Sequence, residues 1–512
     1  KSQNGDMAGR WDFAHEVPTL RSELVFKVPS GSKVRFNYAP PREDEREITP
    51  TVEGKYDVYR FAMENIPSYN RERLMSAEHV GNPTLRYYTY HISNETQERA
   101  VGIEEGSLEG QPYHMTWHNI AKIYNTYYDH ICWEANKKSK EYRKGKNAFI
   151  EEFKRGEFTD TESMLRSFVS SFRENFQAIE SGYFLRYTNP EEAYITKEGN
   201  SYELAYIMRE MLTDLGVASS VVLVRDISEG LLDRKMPALH AFTDVILNIK
   251  YGGNEHWIDP GSHACRFDQV PWQCRGVDGL WLLPSGEFVF KKVSMRDAEY
   301  NRFVNIDEVE ITEEGDLNGN AKITIAGQNL IRLRKRIDED EESRFTEELI
   351  DLFKKRYPVD FDEEELTIVE DSDDSLVVTY HYHMPDFADV AGGFMNVDFS
   401  GWIGSSYMDV FEDEGRLHDI HFPYLHCDRV CVRIKVPAGM EAVELPKDAS
   451  RENDCFRYTR TVDMDRDIVT FNRCMVIKNS TIAADDYEKV KQFIGETYKL
   501  DRETVVLKTA SM

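Results

Sequence analysis

One stretch of the 512-residue chain carries residue types that could transfer an acyl group. Gly199-Asn200-Ser201 opens an apolar helical pattern. His240 heads a later strand pattern, "HAFTDVILNI", and Asp259 closes the next one in "WIDPG". A nucleophile is favoured at a helix N-terminus because the helix dipole stabilises developing negative charge there. A histidine at a strand edge can take the nucleophile's proton, and a neighbouring carboxylate can orient the imidazole and stabilise its charged form. In this pattern Ser201 is the candidate nucleophile, His240 the base and Asp259 the orienting acid. Plainer roles stand beside these. Asn200 with Glu203 reads as a capping box. His240 reads equally as a satisfied core histidine, and Asp259 as a turn residue bonding backbone around Pro260.

The elements that must position these residues are legible. Leu204, Ile207, Met208, Met211, Leu212 and Leu215 recur at helical spacing over 199–215, and Gly216 supplies the stop. "SSVVLVR" at 219–225 predicts a strand. "HAFTDVILNI" (240–249) and "EHWIDP" (255–260) predict two more around a Gly252-Gly253-Asn254 turn. A tight turn at Gly252-Gly253 sets Asp259 opposite Ile246, away from His240. A wider loop over Asn248–Asn254, or a bulge, brings the two together. The sequence leaves both open. Trp257, Trp272 and Trp281 are candidates to line a peptide groove, core packing being the commoner use of the ring. His256 and His263 flank Asp259, but their spacing matches no zinc motif, so no metal is expected. Nothing points to a cofactor.

The order of helix, His-strand and W-x-D-P strand resembles the transglutaminase-like superfamily, whose core is papain-like. There the helix opens with Gly-Asp-Cys, and the resemblance maps that triplet onto Gly199, Asn200 and Ser201, with His240 as base and Asp259 as orienting acid. "WDFAHEVPTLRSELVFKVPSG" (11–31) resembles part of a β-domain of unknown function that precedes such cores in bacterial envelope proteins. "EEGDLNGNAKITIAGQNLIRLRKR" (313–336) and "TIAADDYEKVKQFIGETYKLDRETVVLK" (481–508) resemble the β-rich domain that follows them. The resemblance implies a multidomain α+β protein. A β-sandwich-like N-terminal domain (1–95, incomplete at its start) precedes a papain/transglutaminase-like α+β core (96–298) and a β-rich C-terminal domain with a late helix (299–512). It implies a protein or peptide substrate or ligand. It also implies a periplasmic, envelope-anchored or secreted location, with Lys1 beginning a mature or trimmed form.

The departure from that pattern is serine where the family has cysteine. A thiol titrates near pH ~8.5, and a helix N-terminus lowers that into the working range. A hydroxyl is a far weaker acid and needs strong base assistance and a matched oxyanion hole. Three readings follow: a helix cap only, residual or altered catalysis, and an engineered Cys→Ser change. They correspond to a non-catalytic peptide- or glycan-binding module, a Ser201-His240-Asp259 serine hydrolase, and a silenced cysteine enzyme.

Composition bounds the rest. Lysine and arginine total 63 against 91 acidic residues, a formal charge of −28, which argues against nucleic acid and anionic membrane as partners. Aromatic residues at 12% are too many for a disordered chain. No apolar run of about 18 residues is present to span a membrane. The length suggests roughly three domains. Around the core, Leu24/Phe26/Val28 and Val34/Phe36 predict strands about a Pro-Ser-Gly turn, and 56–63 predicts another. "PPREDERE" (40–47) reads as a charged loop. Helices are expected along Trp117, Ile120, Ile123, Tyr124 and Tyr127, after an Asp160/Thr161 cap with Met164, Phe168 and Phe172, at 343–356, and at 485–498 before a last strand. "EEGDLNGN" (313–320) is expected to turn, and the acidic runs at 336–342 and 360–365 to be solvated faces. Seven cysteines cannot all pair internally; a Cys455–Cys474 disulfide is one of many pairings.

Overall fold

The computed structural model describes residues 8–39, 48–69, 71–75, 82–90, 116–122, 124–125, 137–179, 190–234, 237–238, 241–283, 287–336, 347, 349–351, 360–361, 366–403 and 407–510. It is a strand-rich α+β protein with several sheets. The chain divides into two compact units, Lys1–Ser294 and Met295–Met512.

The first unit begins with two three-stranded sheets. One holds Ala8–Asp12, Thr84–Tyr90 and Lys33–Ala39; the other holds Thr19–Pro29, Tyr56–Ile66 and Thr51–Glu53. Alternation turns Phe26, Phe36 and Phe61 inward, and they meet between the sheets at centroid distances of 5.5 Å (Phe26–Phe36) and 4.5 Å (Phe36–Phe61). The Pro-Ser-Gly turn forms, with Gly31 at φ +87°. Its flanking strands do not pair with each other; the turn carries the chain from one sheet to the other. The charged segment 40–47 lies outside the described residues.

The helical part of this unit surrounds Ser201–Asp214. The predicted stripe Leu204, Ile207, Met208, Met211 and Leu212 is buried, and so are Tyr202, Ala205 and Tyr206, so the helix is enclosed on nearly all sides. It stops at Leu215 because Gly216 takes φ +79°, a left-handed value that costs glycine no Cβ clash. Thr161–Asn175 starts at Asp160, whose carboxylate accepts from Ser163 N at 2.7 Å, and buries Phe168 and Phe172. Ile120 and Tyr124 are buried as their stripe predicts; Ile123 and Tyr127 lie outside the described residues.

Below the central helix lies an antiparallel five-stranded sheet in the order Asn254–Ile258, Asp244–Tyr251, Ser219–Val224, Asp278–Leu282, Phe288–Lys292. Alternation along Ser219–Val224 sends Val221 and Leu223 to the helix side, and Val222 and Val224 to a second cluster with Ile246, Trp257 and Trp281.

In the second unit a nine-stranded sheet packs with the four-stranded sheet of Asp389–Ala391, Phe394–Val397, Val505–Thr509 and Met440–Glu444 around one apolar core. Arg302–Ile311 and Leu317–Ala326 form a hairpin with Gly315 at φ +99° in its turn; the turn expected over 313–320 ends before Leu317, and 317–320 are strand paired to the preceding one. The late helix runs Tyr487–Asp501 and the last strand Val505–Thr509. A short helix at Gln328–Arg336 was not expected; it buries Leu330, Ile331 and Leu333 in too few turns to show a clear period. The 343–356 helix is described only in part, with Leu349 and Ile350 buried. The two acidic runs fall largely outside the described residues. Among the described residues no helix is long and apolar enough to cross a membrane.

Candidate functional site

Ser201 is the first residue of the central helix, and it is not the cap. Asn200, 6% exposed, accepts from the amides of Tyr202 and Glu203, both at 3.0 Å. The Glu203 carboxylate returns the bond, accepting from Asn200 N at 2.8 Å. The reciprocal box read in the sequence is therefore present, and it satisfies the helix start without the Ser201 hydroxyl. That leaves Ser201 half-buried at the positive end of a helix dipole, beside a first turn held in register by its neighbours.

The hairpin that carries Asp259 resolves the register question in favour of the tight turn. Gly252 and Gly253 take φ +59° and +81°, the two positive values a two-residue hairpin needs, and pairing runs from Tyr251↔Asn254 to Leu247↔Ile258. One further step sets Asp259 opposite Ile246, just past the last pair. Strand pairing therefore does not carry Asp259 back toward position 240. The preceding strand also begins at Asp244, later than the expected 240. Thr243 Oγ1 there accepts from Asp226 N at 2.7 Å, and Ala241 N turns back onto Ala238 O at 3.2 Å. His240 itself lies outside the described residues; its neighbours Ala238 and Ala241 are buried in the core that holds the central helix.

A different contact gathers the site. Asp259, 8% exposed, accepts from Gly261 N at 3.0 Å through Oδ1, and its carbonyl accepts from Ser262 N at 3.3 Å. The Asp-Pro-Gly segment thus folds into a tight turn, the bland role read for Asp259. That turn is pressed against the start of the central helix. A Cβ placed on Gly261 would lie 2.8 Å from Ser201 Cβ and 3.2 Å from its Cα. Only a residue without a side chain allows this approach. Ser201 and the acid-bearing turn are consequently neighbours. Gly261 is the positioning residue that the sequence reading passed over; its signal was the glycine closing "WIDPG".

The tryptophans divide. Trp257 is 1% exposed and packs edge-on against Trp281 at 5.4 Å, on the sheet face away from the central helix. It is a core residue and offers no ring face to a peptide, which corrects the groove assignment for this position. Trp272 is half-buried in a short 3-10 turn, Trp272–Cys274. Cys274 is fully buried. Burial pushes its thiol well above the ordinary value, and the charges of Asp244, Asp259 and Asp226 add to the effect. It stays protonated, the wrong form for a substitute nucleophile. His256 faces Asp268 (Nδ1–Oδ2 3.3 Å) and stacks on Phe267, while His263 is exposed. Among the described residues no group of three or more His, Cys, Asp or Glu could hold a metal ion.

Comparison with known proteins adds the fold's relationships. Residues 404–507 match the family described as a domain of unknown function with a solved structure, DUF3858. No curated protein matches the chain. A crystal structure described as a "putative protease" from Parabacteroides distasonis aligns with 99% of this chain and 76% of its own, at 14% identity and TM-score 0.56. Another, described as a "putative cysteine protease" from Cytophaga hutchinsonii, aligns with 56% of this chain and 83% of its own, at 13% identity and TM-score 0.20. The chain has a protease-like fold, shared along its length with the first of these structures.

Proposed function

We propose that the protein is a transglutaminase-like, cysteine-protease-like member of the bacterial envelope that engages protein or peptide amides, with its nucleophile position filled by Ser201 and its catalysis thereby impaired. The observation that carries this reading is the contact of Gly261 with Ser201. It brings the carboxylate-bearing turn to the N-terminus of a buried helix, where a nucleophile would be favoured. In this reading the amide carbonyl of the ligand lies at the helix start. One Asp259 oxygen accepts from Gly261 N; the carboxylate would orient His240, which would take the proton of the attacking group. With a thiol at position 201, attack would give an acyl-enzyme and release amine; water or a lysine amine would then take the acyl group. With a hydroxyl, the same frame supplies binding and orientation but a poorly activated nucleophile. The location in the periplasm or outside the cell belongs to the same proposal, and rests on the resemblance of the whole arrangement to envelope proteins.

The test is a paired assay of the parent and Ser201→Cys on casein and on a glutamine-donor, amine-acceptor pair, with iodoacetamide labelling mapped by mass spectrometry. The expected result is an inert parent and a variant that labels at position 201 and turns over. Turnover by the parent that Ser201→Ala abolishes would establish a serine hydrolase instead. Absence of labelling at position 201 in the variant would favour a peptide- or glycan-binding module without chemistry.

A further inference from the structure

Two thiols meet on the outer face of the nine-stranded sheet. Cys427–Lys435 pairs antiparallel with Ile468–Ile477, and the register sets Cys427 opposite Val476 and Arg429 opposite Cys474. Cys427 and Cys474 are thus diagonal neighbours on one face, and their sulfurs are 3.7 Å apart, in van der Waals contact. Their surroundings differ. Cys427 is 0% exposed, whereas Cys474 is half-buried with access to solvent. The Arg429 guanidinium, itself paired with Glu299, stands directly across the strand pair from Cys474. The shared hydrogen bond with Cys427, then Arg429, holds the Cys474 thiol below its ordinary range. The same hydrogen bond and burial push Cys427 up. Neither residue takes part in the site around Ser201, and the Cys455–Cys474 pairing considered from the sequence is not formed: both are free thiols.

We propose that Cys474 is a thiol–disulfide exchange site for low-molecular-weight disulfides, with Cys427 as its resolving thiol. The Cys474 thiolate attacks one sulfur of the small disulfide, forming a mixed disulfide and expelling one thiolate. The Cys427 thiol then loses its proton and attacks the Cys474 sulfur. This expels the second small thiolate and closes a cross-strand disulfide. The protein loses two electrons and two protons, and one small disulfide becomes two thiols. Closing from 3.7 Å to the bonded length of about 2.05 Å is within reach of side-chain rotation.

The test uses the full chain with oxidised glutathione at neutral pH, quenched with N-ethylmaleimide and mapped by mass spectrometry of peptides. The parent is expected to give a Cys427–Cys474 cross-link that dithiothreitol reverses. Cys427→Ser is expected to stop at glutathionylated Cys474, and Cys474→Ser to give neither product. Arg429→Gln keeps both thiols and is expected to slow modification of Cys474 at least about threefold, through loss of thiolate. The proposal is overturned if glutathione goes to Cys431 or Cys455 while Cys474 stays alkylatable. It is also overturned if the parent accumulates the mixed disulfide with Cys427 still free, or if Arg429→Gln reacts as fast as the parent.

Discussion

Gly261→Ala tests the contact on which the site depends. The added methyl would meet Ser201 Cβ at 2.8 Å and Ser201 Cα at 3.2 Å. The first distance is shorter than packed carbons adopt, and the second atom is helix backbone that cannot rotate away. Gly261 does not need a left-handed backbone, so the penalty is steric alone. Overpacking of this kind costs about 1–3 kcal/mol. At roughly 2–4 °C per kcal/mol for a unit of a few hundred residues, the first unit should melt some 2–12 °C lower. The strain should appear where the clash is. Hydrogen exchange at the amides of Tyr202 and Glu203, which Asn200 now holds, should accelerate in the variant, while amides of the second unit keep their rates. Differential scanning calorimetry with exchange mass spectrometry reads both. In a Ser201→Cys background the same change should reduce labelling at position 201. Melting within about 1 °C of the parent, with unchanged exchange in the first helical turn, would refute the claim that the turn is packed rigidly against Ser201.

Two further predictions concern the second unit. Asp307 is 1% exposed, and burial pushes its carboxyl up to about 7, against the bond that Tyr382 Oη donates to its Oδ1 at 2.9 Å. The folded state therefore holds this proton more tightly than the unfolded chain. The associated stability is fully present below about pH 4 and is lost as pH rises toward 7. Asp307→Asn should flatten that fall and gain on the order of 1–4 kcal/mol at pH 8, read by urea titration across pH; a parallel pH profile would contradict it. Gly495 lies inside the Tyr487–Asp501 helix, with open space where a Cβ would stand. Gly495→Ala should stabilise the unit by roughly 0.5–1 kcal/mol by reducing backbone freedom in the unfolded chain, and an unchanged denaturation midpoint would count against it.

Local physics made much of this protein legible from its residues. The helix after Asn200 follows from apolar spacing and a terminal glycine, because a 3.6-residue period and a left-handed stop are properties of a few consecutive residues. The Asn200–Glu203 box was readable for the same reason, since it closes within four residues of chain; the turn at Gly252-Gly253 was readable as a turn, but the choice between its tight and wide forms came only with the strand register. Alternation likewise told which faces of the strands are buried. It could not tell which strand pairs with which. The segments around the Pro-Ser-Gly turn entered different sheets, because alternation specifies a face and leaves the partner to long-range packing. Trp257 followed the alternation, yet whether its side of the sheet was a groove or a second core depended on Val270, Cys274 and Val277, brought in from beyond the strand. The sulfur contact of Cys427 with Cys474 and the approach of Gly261 to Ser201 are likewise invisible in sequence. Each joins residues far apart along the chain, and its energy appears only when separate elements are packed to within a methyl group of each other.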